Sequence, residues 1–389
     1  MEQGTKTLEN ITNLAKTYMR ISSIKTALTV FLVGYTAYKV VETFRKYKKV
    51  VSDGEDAKAM LLEHPDKELK EMLEAEGYLN LVSVGEHSLN VYEYGNKQGK
   101  HTLVCISGQG VHDYSVTMSK VTDQLADDNR IVYVDRAGYG MSDDTKIPQT
   151  NENIVKDYRI ALKNAGIEGP YILIAHSLGG AYVTYWQSNY PDEIEGVVLI
   201  DATQLSENVQ FDDETSSLMS SIQTVLCKLG VYRLAVDYYY GPLPEGYSDT
   251  KRDISRALNL HHGWSNALAS EEKYASENCT SAFVNCVTND IPKVYICSSN
   301  AHLTRECILE EVEWSYKVLA KGEEPVSLDD EFIAERLKAE EVQRENVIMP
   351  YLEKMGNCEL VLLGGHHAIY EQKPDEVARI IEEFINEFE

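Results

Sequence analysis

Six short runs limit the folds open to this chain. They are "TLVCIS" (102–107), "RIVYVD" (130–135), "YILIAH" (171–176), "GVVLID" (196–201), "KVYICS" (293–298) and "ELVLLG" (359–364). Each is apolar through its centre and rich in β-branched or aromatic residues, the signature of a strand covered on both faces. Two earlier runs, "YLNLVSV" (78–84) and "SLNVYEY" (88–94), alternate apolar with polar residues, as half-exposed antiparallel strands do. Helix-length stretches at about 113–128, 151–166 and 178–190 separate the central runs. Strand alternating with helix predicts a mostly parallel eight-stranded α/β sheet with right-handed crossovers and helices on both faces.

Two interruptions, 202–290 and 300–345, are too long for simple loops. Their helical patterning predicts a helical cap over the carboxyl edge of the sheet, the edge where ligands bind in open α/β sheets.

The N-terminal segment, residues 1–50, differs in kind. "TALTVFLVGYTAYKVV" (26–41) is apolar except for Lys39, and Lys25 bounds it. With snorkelling lysines, a stretch of about 26–44 is long enough for a single-pass membrane anchor. "FRKYKK" (44–49) follows, which by the positive-inside rule places the main domain in the cytoplasm, although Lys16, Arg20 and Lys25 precede the span. Residues 51–77 are expected to form a charged connecting helix broken near Pro65, and 78–389 the main domain with its cap insertion at about 202–290.

A net charge of -25 over 389 residues excludes a nucleic-acid-binding surface. The seven cysteines show no C-x-x-C spacing, and the histidine pairs at 261–262 and 366–367 lack supporting ligand spacing. No metal and no cofactor is expected.

The chemistry concentrates at "YILIAHSLGG" (171–180). A serine between a strand and a helix, with small residues two before and two after, can be held on a tight turn with its Oγ exposed. Gly179 and Gly180 meet the second demand, and Ala175 stands in place of the first glycine. A hydrolytic Ser177 needs oxyanion donors, a base and an acid to orient that base. "CISGQG" (105–110) ends an earlier strand, so the backbone N–H groups of Gln109 and Leu178 are the expected oxyanion donors. "GGHH" (364–367) follows the last strand and offers His366 or His367 as base. Asp201, at the end of "GVVLID", is the first candidate for the acid and Glu306 the second, because Asn300 occupies the place after "KVYICS" where an aspartate is common.

"CISGQG", "VYVDRAGYGMSD" (132–143), "AGIEGPYILIAHSLGG" (165–180), "YPDEIEGVVLIDAT" (190–203) and "GGHHAIYEQKPDEV" (364–377) occur in the order found in the α/β-hydrolase superfamily, which the chain resembles. The likeness runs over about 80–203 and 291–389 and is nearest to membrane-anchored bacterial members. It implies an α/β-hydrolase fold, Ser177 as nucleophile, and His367 rather than His366 as base, seven residues before Pro374. Asp201 as acid and structural roles for Asp135 and Arg136 follow by the same likeness. The expected reaction is cleavage of a carboxylic ester through an acyl-enzyme. The expected substrate is small and apolar or amphiphilic, facing aromatics such as those of "VDYYYGPLPEGY" (236–247) and Trp264. A catalytically silent tethered binding protein, or an acyltransferase with the same residues, is the alternative.

Overall fold

The computed structural model describes residues 66–210, 246–261, 263–318 and 328–388. The expected anchor at 26–44, the break near Pro65 and the aromatic run 236–245 lie outside these residues. Among the described residues no helix is long and apolar enough to cross a membrane.

Eight strands form one sheet: β1 (Leu81–Ser83), β2 (Ser88–Gly95), β3 (Thr102–Ile106), β4 (Arg130–Val134), β5 (Tyr171–His176), β6 (Ile194–Ile200), β7 (Lys293–Cys297) and β8 (Cys358–Leu362). Their spatial order is β1-β2-β4-β3-β5-β6-β7-β8. The β1–β2 and β2–β4 pairings are antiparallel and the rest are parallel. The strands fall where the apolar runs predict.

The period of two divides each central strand between two cores. Val104, Ile106, Leu173, Ala175, Val197, Leu199, Tyr295 and Cys297 face one core. Leu103, Cys105, Ile172, Ile174, Val198, Ile200, Val294 and Ile296 face the other. Burying such a Val, Leu or Ile contributes about 1.5–3 kcal/mol, so register is strongly set. The first core is closed by α4 (Asn151–Asn164), capped by Thr150 Oγ1, and by α5 (Gly179–Asn189). The second is closed by α12 (Pro374–Asn386), whose Val377, Ile381 and Phe384 lie on its inner face.

The stretch 113–128 forms two short helices, α2 (Tyr114–Thr117) and α3 (Ser119–Thr122), rather than one. The backbone tightens there, with N–H bonds from Val121 to Met118, Gln124 to Val121 and Leu125 to Thr122, each three residues back. Ahead of the sheet, α1 (Asp66–Ala75) buries Leu73 against Tyr78, Val116, Met141 and Ile254. The described cap contains α6 (Asp249–His261) and α7 (Asn266–Val284), whose N-cap is Ser265. The second insertion carries α8 (Arg305–Val318) and α9 (Asp330–Gln343), a π-helical turn at Arg344–Ile348, and α10 (Met349–Met355). The short helix α11 (Ile369–Gln372) follows the last strand.

Candidate active site

At the end of β5 the chain turns through Ser177 with φ of 52°. Left-handed backbone at a residue with a Cβ costs about 1–3 kcal/mol and persists only where neighbours enforce it. Here Ser177 N–H donates to Ile200 O at 3.4 Å, and Ser177 O accepts from Thr203 N at 2.8 Å and Gly180 N at 3.0 Å. A methyl group on Gly179 would lie 2.9 Å from Ile106 O and 3.0 Å from Ser107 O, so glycine is required there. Ala175, by contrast, is fully buried in the first core opposite Ile106 and Leu199, where its methyl group is ordinary packing. The missing glycine therefore costs the turn nothing.

The last strand brings His367 to the same edge, where its Nδ1 lies 2.7 Å from Asp201 Oδ2. Asp201 also adopts positive φ, 40°, at the end of β6. Its Oδ1 accepts from Ser298 N at 2.8 Å and Ser299 N at 3.1 Å, and its Oδ2 from Ser299 Oγ at 2.7 Å. Burial would raise this carboxyl, but the bonds from His367, Ser298 and Ser299 hold it below the usual carboxylate range. The division of exposure matters chemically: Asp201 is 3% exposed and the His367 side chain 46%. The anion is shielded while the imidazole faces outward. With Nδ1 on a carboxylate, Nε2 is left to exchange a proton with a reacting group. Among the described residues Ser177 Oγ has no hydrogen-bond partner, and such links commonly tighten only around a substrate.

The two alternatives are placed elsewhere. His366 Nδ1 accepts from Ala368 N at 3.0 Å, its ring packs on Trp314 at 4.7 Å, and burial lowers its pKa to about 4. Glu306 is exposed in the first turn of α8, where it bonds its own backbone amide and Thr304. Asn300, in the position of the expected aspartate, accepts from Arg344 at 2.6 Å through its carbonyl.

The loop Ser107–Gly110 approaches Ser177 so closely that a methyl group on Gly108 would lie 2.8 Å from Ser177 Cβ. Arg136 holds that loop, donating to Ser107 O at 2.7 Å and Gly108 O at 2.9 Å. Gly110 N–H donates to Tyr139 Oη at 2.9 Å, and Tyr139 in turn donates to Glu271. Glu271, on α7, pairs with Arg136 and also accepts from Tyr182. With its neighbours tied on both sides, the Gln109 N–H has no acceptor among the described residues, and neither has that of Leu178. Both amides are free to receive a developing oxyanion. Asp135 shapes the adjoining turn, accepting from Asn90 Nδ2 at 3.1 Å and Met141 N at 3.2 Å.

Glu271, Ser298 and Ser299 escape the sequence reading. Two hydroxyl residues directly after β7, one strand from Asp201, were the available signal for the serines. Nothing local marks Glu271 within a charged helix. Tyr247 is buried: its hydroxyl donates to Thr117 O at 2.7 Å and Lys120 lies 4.4 Å above its ring.

Residues 99–275 match the family described as serine aminopeptidase, S33. Cfl2 from Burkholderia cenocepacia superposes with a TM-score of 0.50 at 18% identity, over 78% of this chain and 94% of that one. The chain has the α/β-hydrolase fold. Among curated proteins, the chain is 29% identical over 195 residues to the uncharacterised protein YbdG of Bacillus subtilis, covering 49% of this chain and 59% of YbdG. It is 27% identical over 131 residues to the 2-(acetamidomethylene)succinate hydrolase of Mesorhizobium japonicum, covering 34% of this chain and 45% of that enzyme. The chain thus spans less than two thirds of either relative's length. The matched family is described as a peptidase family, and the Mesorhizobium relative as a hydrolase.

Proposed function

We propose that this chain is a serine hydrolase of the α/β-hydrolase superfamily that cleaves a carboxylic ester, or a related acyl bond, through an acyl-enzyme. The observation that carries the reading is the pairing of Asp201 with His367 at 2.7 Å beside a serine held on a strained strand–helix turn. Ser177 Oγ attacks the carbonyl carbon while His367 Nε2 accepts its proton. The amides of Gln109 and Leu178 stabilise the oxyanion. His367 then protonates the leaving alcohol, and water repeats the sequence to release the acid. Asp201 holds the Nδ1–H tautomer and stabilises the imidazolium.

The apolar stretch 26–41 supports membrane tethering, and with it an apolar or amphiphilic ester as substrate. Carbonate extraction of membranes tests the tether: release of the chain into the soluble fraction excludes it.

Labelling by a fluorophosphonate probe tests the chemistry. The intact protein is expected to label, and Ser177→Ala and His367→Ala to remain unlabelled. An intact protein that does not label excludes the enzyme reading and leaves a binding protein on the same fold. Partitioning of the bound acyl group between water and an added acceptor alcohol separates a hydrolase, which releases the acid, from an acyltransferase, which forms the new ester.

A further inference from the structure

The residue before the nucleophile, His176, touches all three parts of the site. It is 3% exposed at the end of β5. Its Nε2 lies 3.1 Å from the carbonyl oxygen of His367. A carbonyl only accepts, so Nε2 carries the ring proton and donates it. The His176 ring also packs against that of His367, with centroids 4.6 Å apart, and takes the edge of Tyr370 at 4.9 Å. On its other side Nδ1 is buried without a hydrogen-bond partner, facing Gly108, where a methyl group would lie 2.9 Å away. One imidazole therefore fills the space between the serine turn, the oxyanion loop and the loop that carries the base.

That last loop needs the support. Gly364 has φ of 54°, and the segment reaches His367 with its side chain half in solvent. Its carbonyls are tied in succession: His366 O accepts from Ser298 Oγ at 3.1 Å and His367 O from His176. Burial, and then the charge His367 acquires, hold the pKa of His176 down to about 3. His176 thus remains a neutral donor while the neighbouring imidazole takes up and gives back a proton.

We propose that His176 is a positioning residue that fixes the backbone of the base His367 against the serine turn, through its Nε2–H bond to the His367 carbonyl and the packing of the two rings. The proposal rests on the serine-hydrolase reading. It assigns His176 no contact with substrate.

Two variants separate the donor from the ring. His176→Gln keeps an N–H donor on an unbranched side chain, and His176→Phe keeps the ring but has no donor. In the full chain, His176→Phe is expected to lower the fluorophosphonate labelling rate, and kcat on a p-nitrophenyl ester, by roughly 10- to 100-fold with KM within about threefold. Misplacing a reacting group by about 1 Å costs on that order. His176→Gln is expected to recover most of the rate. The Nδ1–H of His367, bonded to Asp201, should give a downfield proton NMR resonance in the wild type and in His176→Gln. In His176→Phe it should broaden, because a loosened loop admits solvent exchange. Wild-type labelling with equal rates and equal resonances in both variants overturns the positioning role. Loss of rate with the resonance unchanged also overturns it, because it shows the effect does not run through His367. A wild type that fails to label removes the serine-hydrolase reading instead, while the NMR comparison still reports on the His176–His367 bond.

Discussion

Arg136 and Glu271 meet at 3.1 Å, with 2% of each side chain exposed. One belongs to the turn after β4 and the other to the cap helix α7, so the pair joins the cap to the loop Ser107–Gly110 that Arg136 holds. Burying two charges is costly, and breaking such a pair on one side costs about 3–5 kcal/mol because the other charge is left unpaired. Glu271→Gln should therefore destabilise the protein by that amount in urea unfolding and slow fluorophosphonate labelling under conditions where it remains folded. Arg136→Met combined with Glu271→Leu should be less destabilising than Glu271→Gln, yet should still label slowly, because Ser107 O and Gly108 O lose their donor. A double variant that labels at the wild-type rate would show that Arg136 does not hold the oxyanion loop.

The Asp201–His367 bond predicts a large separation between candidate acids. Asp201→Asn keeps the shape but removes the charge that stabilises the imidazolium, and should lower ester turnover by about 10²- to 10⁴-fold. Glu306→Gln, at an exposed helix start, should leave turnover within twofold. Steady-state kinetics of the two variants checks this, and the reverse ranking would move the acid to Glu306.

A second buried cluster braces the loop that holds Asp201. His302 is fully buried, with Nδ1 3.0 Å from both Glu340 oxygens and its backbone N–H 2.9 Å from Glu340 Oε2. Its Nε2 lies 3.3 Å from Glu311, and Arg336 Nε donates to Glu340 at 2.9 Å. Burial opposes the charge on Glu340, but the bonds from His302 and Arg336 lower its pKa. A lowered folded-state value means the stabilisation is fully present above the unfolded glutamate value of about 4.3 and is lost as pH falls through the folded one. Wild type should exceed Glu340→Gln in stability at pH 7, with the gap shrinking below about pH 4. Urea midpoints at the two pH values measure it; a constant gap would contradict the ionised contact.

Glu371 titrates in the opposite sense. It is half-buried on α11, and burial, then the nearby Asp113, raise its pKa to about 8, with Lys120 acting the other way. Raised in the folded state, it binds its proton more tightly folded than unfolded, so stability falls as pH rises from about 4.5 toward 8. Glu371→Gln should therefore raise Tm at pH 8 and have little effect at pH 4. Differential scanning calorimetry at both values decides it, and an equal effect at both would place Glu371 in contact with solvent.

The positions of strands, helices and the serine turn were legible in the sequence because each depends on neighbours in the chain. Strand period, helix caps and the need for glycine at 179 act over a few residues. At 113–128 a helix-length gap between strands does not reveal that the helix divides in two, with backbone tightened to three-residue bonds. The residues alone left the candidate acid as a choice with Asp201 first and Glu306 second, and the likeness favoured Asp201. What pairs Asp201 with an imidazole is the approach of His367 from 166 positions away.

By itself the sequence determined the α/β architecture, the strained position of Ser177 and the presence of an imidazole after the last strand. Tertiary structure alone decided which carboxylate meets His367 and which serines hold that carboxylate. It also decided that Arg136 is matched by Glu271, and that His176 is turned toward the base. The physical reason is that strand and turn formation are short-range, whereas a buried charge or ring nitrogen is satisfied by whatever the sheet edge brings within about 3 Å.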